Sequence, residues 1–224
     1  MEHIINKFSV FVFDWDGTLF NSMPIKIRNL GVVFFKHFGC SREKVEELYH
    51  RYSGIPRREL FNRIAFDALG RELGDTEFDQ LSDEFTRSNL SELSRSGQLF
   101  DWTDNVLESL KNANKRTFVS SSAPQKELES IINNLKIKSF LDEVMGSKPD
   151  FSKGEEHIQY LLSKYDIAKE EIIFIGDELN DVRLAKAAGV QVGVITSSKS
   201  REAFLPLEPD FIFDDLSVLG GRNG

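Results

Sequence analysis

One cysteine, Cys40, stands in the 224 residues of the chain. It cannot form an intrachain disulfide, which excludes a disulfide-stapled scaffold. No stretch approaches the ~18 consecutive apolar residues of a membrane-spanning helix. The opening Met1 to Gly17 has neither a basic leader nor an apolar run long enough for secretion. Excess basic charge is missing too: 28 Lys plus Arg face 36 Asp plus Glu, a net charge of −8. Duplex nucleic-acid binders need basic surface to displace counterions, so that class is set aside. There is no internal repeat and no low-complexity tract. With 40% hydrophobic and 11% aromatic residues the profile is that of an ordinary globular chain, and the lone cysteine, the opening segment and the lack of a membrane-length apolar run lead to the expectation of a soluble, cytoplasmic protein. Its length suits one domain, or one large domain carrying an insertion, with small phosphorylated molecules still open as ligands.

The strongest local pattern is Phe8 to Phe13, apolar on both alternating faces, as a strand covered on both sides must be. It stops at Asp14. Thr117-Phe118-Val119 ends in Ser120-Ser121-Ser122, and Ile172 to Ile175 ends in Gly176-Asp177. Runs from Val190 to Ile195 and from Asp210 to Phe213 also read as strands. Helical patterns lie between them at Pro124 to Leu135, Lys153 to Tyr165 and Leu179 to Ala188. Ser122 with Gln125 and Ser152 with Glu155 fit capping boxes, Pro124 suits a first helical turn, and Gly189 suits a C-cap. Strands alternating with helices predict an α/β fold, a Rossmann-like parallel sheet with helices on both faces. Ligands of such sheets bind at the carboxyl ends of strands, where Asp14, Ser120 or Ser121, and Asp177 all stand.

From about Met23 to Leu93 no strand is evident, and apolar residues recur at helical spacing, as in Val45-Leu48-Tyr49-Tyr52 and Leu60-Phe61-Ile64-Ala65. Gly39, Gly54-Ile55-Pro56, Gly70 and Gly74-Asp75 divide this stretch into about four helices. The expected organisation is a core of residues 1–20 and 94–224 with a helical insertion at 21–93. Phe34, Phe35 and Phe38 read as core of that insertion. His37, His50 and His157 fit helix surfaces and receive no role. The Gly220 to Gly224 tail is expected to fray.

Asp14-Trp15-Asp16-Gly17-Thr18 puts two carboxylates just past a buried strand. A plain turn, with Gly17 supplying a positive φ, accounts for it in isolation. An EF-hand loop is excluded, because its sixth and twelfth positions would be Leu19 and Ile25. Gly176-Asp177-Glu178-Leu179-Asn180-Asp181 is equally plain alone, as acids complementing a helix dipole. Both clusters at one sheet edge gather carboxylates that protons or a cation must neutralise. An all-oxygen site without a His or Cys cluster suits Mg²⁺.

Together, Asp14-Trp15-Asp16-Gly17-Thr18-Leu19, Ser121 after a strand, a lysine opening a helix, and Gly176-Asp177 with Asp181 resemble the four motifs of the haloacid dehalogenase superfamily. The chain is similar to that family's helical-capped phosphatases, the phosphoglycolate phosphatase and β-phosphoglucomutase-like group. The resemblance implies Asp14 as the nucleophile that forms an aspartyl phosphate, and Asp16 as general acid and then base. It implies Mg²⁺ held by Asp14, the Asp16 carbonyl and Asp177, with Asp181 in support. Ser121 is implied as a phosphate ligand, with the Ser122 N–H beside it; Ser120 is the alternative register. The lysine is taken as Lys153, where a helix begins, with Lys148 as the alternative. Asn21 and Glu178 depart from the residues frequent at their positions.

A cap at this place in the family closes over the site and selects the leaving group. Tyr52 to Arg58 resembles the cap loop that faces the site, so Arg57 or Arg58 is expected to pair with a substrate carboxylate or second phosphate. The implied activity is Mg²⁺-dependent hydrolysis of a small phosphorylated metabolite, with neither nucleic acid nor membrane as partner. A phosphosugar mutase on the same scaffold and a non-catalytic phospho-ligand or protein-binding module are the alternatives. Intact Asp14 and Asp16 weigh against the binding module. The natural substrate and oligomeric state are not legible.

Overall fold

Val10, Phe11, Val12 and Phe13 form β1 (Val10–Phe13), preceded by a short helix α1 (Glu2–Lys7), in the computed structural model, which describes residues 2–220, the side chains of 2 and 3 apart. The part of the expected frayed tail at 221–224 lies outside the described residues. All four β1 residues are buried, which only a strand with neighbours on both edges and layers on both faces achieves. Helices α2 (Met23–Phe38), α3 (Arg42–Tyr52), α4 (Arg57–Leu69) and α5 (Asp75–Ser96) follow. Then come α6 (Thr103–Asn112), β2 (Arg116–Pro124), α7 (Gln125–Ile132), β3 (Glu143–Ser147) and α8 (Glu155–Tyr165). The chain continues through β4 (Ile172–Gly176), α9 (Leu179–Ala188), β5 (Gln191–Ile195), α10 (Arg201–Phe204) and β6 (Phe211–Phe213).

The six strands form one parallel sheet in the order β3-β2-β1-β4-β5-β6. This is the expected Rossmann-like α/β class, and β1 lies at its centre. Alternation along β1 divides its side chains between two layers. Val10 and Val12 join Phe118, Phe174, Ile158, Leu161, Val182 and Ala185 in the core that receives α8 and α9. On the other face the Phe11 and Phe13 rings stack 6.3 Å apart.

Two compact units divide the chain: Met1–Asn21 with Leu99–Gly224, and Ser22–Gln98. The boundary expected after Leu93 falls inside α5, which runs to Ser96 and is closed by Gly97, whose N–H reaches the Leu93 carbonyl. The second unit consists of α2 to α5 around its own core of Leu30, Val33, Phe34, Leu48, Phe61, Ile64, Leu81 and Phe85. Of the expected Phe stripe, Phe34 lies against Phe38 and Phe61, whereas Phe35 faces outward with the Arg42 guanidinium 5.0 Å from its ring. Gly39 and Gly70 end α2 and α4 in the left-handed conformation.

Several local expectations are corrected. Neither capping box forms. Pro124 is the N-cap of α7, and Gln125 turns sideways, its amide donating to the Val144 carbonyl at 3.0 Å and accepting from the Gly146 N–H. Those are groups that a further strand beside β3 would pair, so one side-chain amide blunts an edge. Gly154, at φ 108°, caps α8, so Lys153 precedes the helix instead of opening it, and Ser152 bonds Glu156. Strand β3 was not foreseen because Glu143-Val144-Met145-Gly146-Ser147 is short and only half covered. Helix α6 lies outside the expected elements, yet it buries Val106, Leu107 and Leu110 at helical spacing. Among the described residues no helix is long and apolar enough to cross a membrane.

Candidate active site

The carboxyl ends of β1, β2 and β4 bring the chemistry together. The Asp14 N–H still belongs to the sheet, donating to the Ile175 carbonyl at 2.8 Å, while its side chain stands beyond the last strand residue. The chain then turns tightly: the Trp15 carbonyl accepts from the N–H groups of Leu19 and Phe20 at 3.1 and 3.0 Å. Gly17 makes this turn at φ 83°, and a Cβ there would lie 2.3 Å from Asp177 Oδ2. Glycine is thus required twice, for the backbone angle and for the approach of a carboxylate. The Thr18 hydroxyl donates to Asp177 Oδ1 at 3.0 Å, tying the end of β1 to the end of β4.

Asp177 follows β4, and Asp181 reaches back to it from the first turn of α9. Asp181 Oδ2 accepts from the N–H groups of Asp177 and Glu178 at 3.1 and 3.0 Å, satisfying donors that a helix start leaves open. A Cβ on Gly176 would lie 2.2 Å from that oxygen, so only glycine admits the fold-back. Lys153 completes the cluster, its Nζ 3.0 Å from Asp14 Oδ1 and 2.5 Å from Asp181 Oδ1. Lys148 instead holds its ammonium 5.5 Å from the centre of the Phe151 ring.

One carboxylate oxygen from each of Asp14, Asp177 and Asp181 lies within 4.8 Å of the others, and all three residues are buried. Their electrostatics show a shortage of positive charge. Burial, chiefly, lifts the Asp14 carboxyl to about 7, with Asp181 and Asp16 adding and Lys153 opposing. Burial and the neighbouring Asp14, Asp181 and Glu178 carboxylates lift Asp177 well above the usual range. Burial alone would depress Lys153, but Asp14 and Asp181 outweigh it and hold the ammonium protonated. Asp177 Oδ2 is buried and has no hydrogen-bond partner among the described residues. An orphaned carboxylate oxygen beside two more carboxylates, with no nitrogen or sulfur donor in the set, fits a hard divalent cation.

Ser121 is buried at the end of β2 and its Oγ accepts from the Ala123 N–H at 3.1 Å. Ser122 is half-buried. Ser120 points elsewhere, its hydroxyl 2.8 Å from His157 Nδ1. The surface position expected for His157 is therefore corrected: both residues are fully buried, because α8 lays this turn against the sheet. Sequence reasoning also passed over Ser197 and Ser198, whose hydroxyls donate to the carbonyls of Gly17 and Asp177. Their signal was available, since Thr196-Ser197-Ser198 follows β5 as the other polar runs follow their strands. Glu178 is buried and its Oε2 lies 3.7 Å from Lys199 Nζ. Within the helical unit, Arg57 donates to Thr86 at 2.6 Å and lies over Phe85, while Arg58 pairs with Asp75 and lies over Phe78.

Burial pulls the His157 imidazole down from 6.5 to about 4, with Lys153 and Lys148 also disfavouring the cation and the Gly146 carbonyl and Glu156 favouring it. Above pH 6.5 the ring is neutral in folded and unfolded chains, and its contribution to stability is fully present. Between 6.5 and 4 the unfolded chain takes up a proton that the folded one refuses, so stability falls with acidification. Wild-type protein is expected to lose about 2–3 kcal/mol more than His157→Gln between pH 7.5 and 4.5, read from urea midpoints. Equal losses would remove this histidine from the acid response.

The model of the family described as haloacid dehalogenase-like hydrolase matches residues 11–195. A phosphoglycolate phosphatase of Mannheimia succiniciproducens is 26% identical over 220 residues, covering 96% of this chain and 97% of that protein. A pyrophosphatase PpaX of Listeria monocytogenes is 26% identical over 223 residues, covering 95% of each. Among solved structures, one described as a predicted phosphoglycolate phosphatase from Haemophilus somnus superposes with a TM-score of 0.82 at 26% identity, covering 94% of this chain and 96% of that one. The matched span runs from β1 through β5 and includes Asp14, Ser121, Lys153, Asp177 and Asp181, and the chain belongs to the haloacid dehalogenase-like hydrolases.

Proposed function

We propose that this hydrolase is an Mg²⁺-dependent phosphatase acting on a small phosphate monoester through an aspartyl phosphate on Asp14. The observation that carries the proposal is the buried set of Asp14, Asp177 and Asp181, with Lys153 bonded to two of them. Asp14 is the nucleophile: one of its oxygens bonds to phosphorus as the ester bond to the leaving oxygen breaks. The Trp15 N–H at 2.7 Å and Lys153 on Oδ1 hold the carboxylate's plane for this attack. Asp16 gives its proton to the leaving oxygen. It then takes a proton from water as that water attacks phosphorus, releasing inorganic phosphate and restoring Asp14.

Ser121 and the Ser122 N–H bind the non-reacting phosphate oxygens, with Lys153 supplying positive charge. Asp14, Asp177 and the Asp16 carbonyl would hold Mg²⁺, with Asp181 in support. When bound, the ion supplies charge that offsets repulsion between the Asp14 carboxylate and the incoming phosphate. Two-carbon phosphate esters with a carboxylate, and pyrophosphate, are the first candidate substrates, from the named activities of the relatives. Arg57 and Arg58 are the residues we propose for the distal anion of such a substrate, in exchange for Thr86 and Asp75.

Turnover of an aryl phosphate should vanish with a chelator and return with Mg²⁺, followed by a panel of metabolite phosphates. Mg²⁺ at 100 times its dissociation constant should also stabilise the protein by about 2.7 kcal/mol, or roughly 5–10 °C in Tm for a chain of this size. Undiminished turnover in chelator, or Mg²⁺ with no effect on either quantity, would exclude the proposed site.

A further inference from the structure

The sheet stops holding β2 where its chemistry begins. On one side, pairing with β1 ends at Phe13 opposite Val119. On the other, the register with β3 breaks after Ser120 opposite Met145 and resumes only at Pro124 opposite Ser147. Ser121 and Ser122 therefore lie in a stretch whose ladder partners are interrupted on both edges, although a phosphate ligand must be held to a fraction of an ångström.

At the last residue before this gap, the Ser120 hydroxyl meets His157 Nδ1 at 2.8 Å with both side chains fully buried. His157 lies in the first turn of α8, four residues after Lys153, and the helix ladder already includes the bond from the Ile158 N–H to the Gly154 carbonyl at 3.0 Å. The Phe151 ring packs on the imidazole with centroids 4.4 Å apart. One buried bond thus joins the segment that carries Ser121 to the turn that carries Lys153. Alternation along a strand sends the Ser120 and Ser121 side chains to opposite faces, so Ser120 can serve as an anchor without entering the phosphate site.

We propose that His157 is a positioning residue for phosphate: through Ser120 it fixes the unpaired stretch of β2 against α8, so that Ser121 and Lys153 address the same phosphoryl group. This inference rests on the functional reading above. It requires the His157–Ser120 pair to act on phosphate and to leave the metal alone, because Asp14 and Asp177 are placed by β1 and β4, which remain paired through Phe13 and Ile175.

The test measures inorganic phosphate binding, Mg²⁺ binding and aryl phosphate kinetics in Ser120→Ala, His157→Leu, their double variant and His157→Asn. Calorimetry reads both ligands, and circular dichroism checks the fold. Losing one buried hydrogen bond should weaken phosphate binding and kcat/KM roughly tenfold in either single variant. The double variant should lose no more than one single variant does. His157→Asn, whose amide can replace Nδ1, should recover most of the loss, and the Mg²⁺ dissociation constant should stay within about twofold of wild type. Unchanged phosphate affinity in folded Ser120→Ala would overturn the inference, as would additive losses or equal movement of phosphate and Mg²⁺ constants. If His157→Leu fails to fold, Ser120→Ala with His157→Asn still decides it. Wild-type protein that neither binds nor releases phosphate would overturn the functional reading, and this inference with it.

Discussion

Asp14→Asn is expected to lower turnover of an aryl phosphate in Mg²⁺ by at least about 10⁴-fold while leaving the metal-free protein as stable as wild type, or more so. The two halves have separate causes. An amide oxygen is a poor nucleophile toward phosphorus, and the substitution also removes one of the charges proposed to hold the ion. Stability should not suffer, because the amide is nearly isosteric and Asp14 is a buried carboxylate already lifted to about 7, chiefly by burial. Lys153 would keep its bond to Asp181. Such a trade of stability for activity is what a functional carboxylate cluster predicts and a structural ion pair does not. Loss of several kcal/mol of stability with turnover kept within tenfold would place Asp14 in the framework and remove it from the chemistry.

Asp16→Asn should separate the two chemical steps. For an alkyl phosphate, whose leaving oxygen needs a proton, kcat should fall by about 10²–10⁴-fold. For an aryl phosphate bearing a good leaving group the first step needs little help, so the loss should fall on the water-dependent second step. The Mg²⁺-induced rise in Tm should persist, because only the backbone carbonyl of Asp16 is proposed as a ligand. Initial-burst kinetics check this: a burst of phenolate equal to the protein concentration, followed by a slow phase, is expected. Equal slowing of both substrates with no burst would argue that Asp16 shapes the turn and transfers no proton.

Much of this site was legible because the information is local and repeated. Each motif is a short apolar run ending in a polar residue, and a parallel sheet aligns those ends, so the sequence alone places Asp14 and Asp177 together. Gly17 and Gly176 read as turn residues, but their second function needs three dimensions: each leaves room for a carboxylate that arrives from elsewhere in the fold. His157 was misjudged for a related reason. Helical spacing identifies the face of α8, but only the sheet's position shows that Ser120 waits opposite. The capping boxes failed because Gly154 and Pro124 start their helices later than a Ser-x-x-Glu or Ser-x-x-Gln pattern suggests. Strand β3 was missed because an edge strand has one neighbour and needs few apolar residues to stay in the sheet.

The aspartyl phosphate is the central claim, and acid-quenched peptide mass spectrometry of Asp16→Asn mixed with an aryl phosphate and Mg²⁺ tests it most directly. Formation of the intermediate survives in that variant while its hydrolysis is slowed, so the phosphorylated form should accumulate. The account predicts one phosphoryl group on the peptide containing Asp14, absent without Mg²⁺ and absent when Asp14→Asn is added. A phosphoryl group on Ser121 or any other residue, or catalytic turnover with no covalent species in either protein, would contradict it.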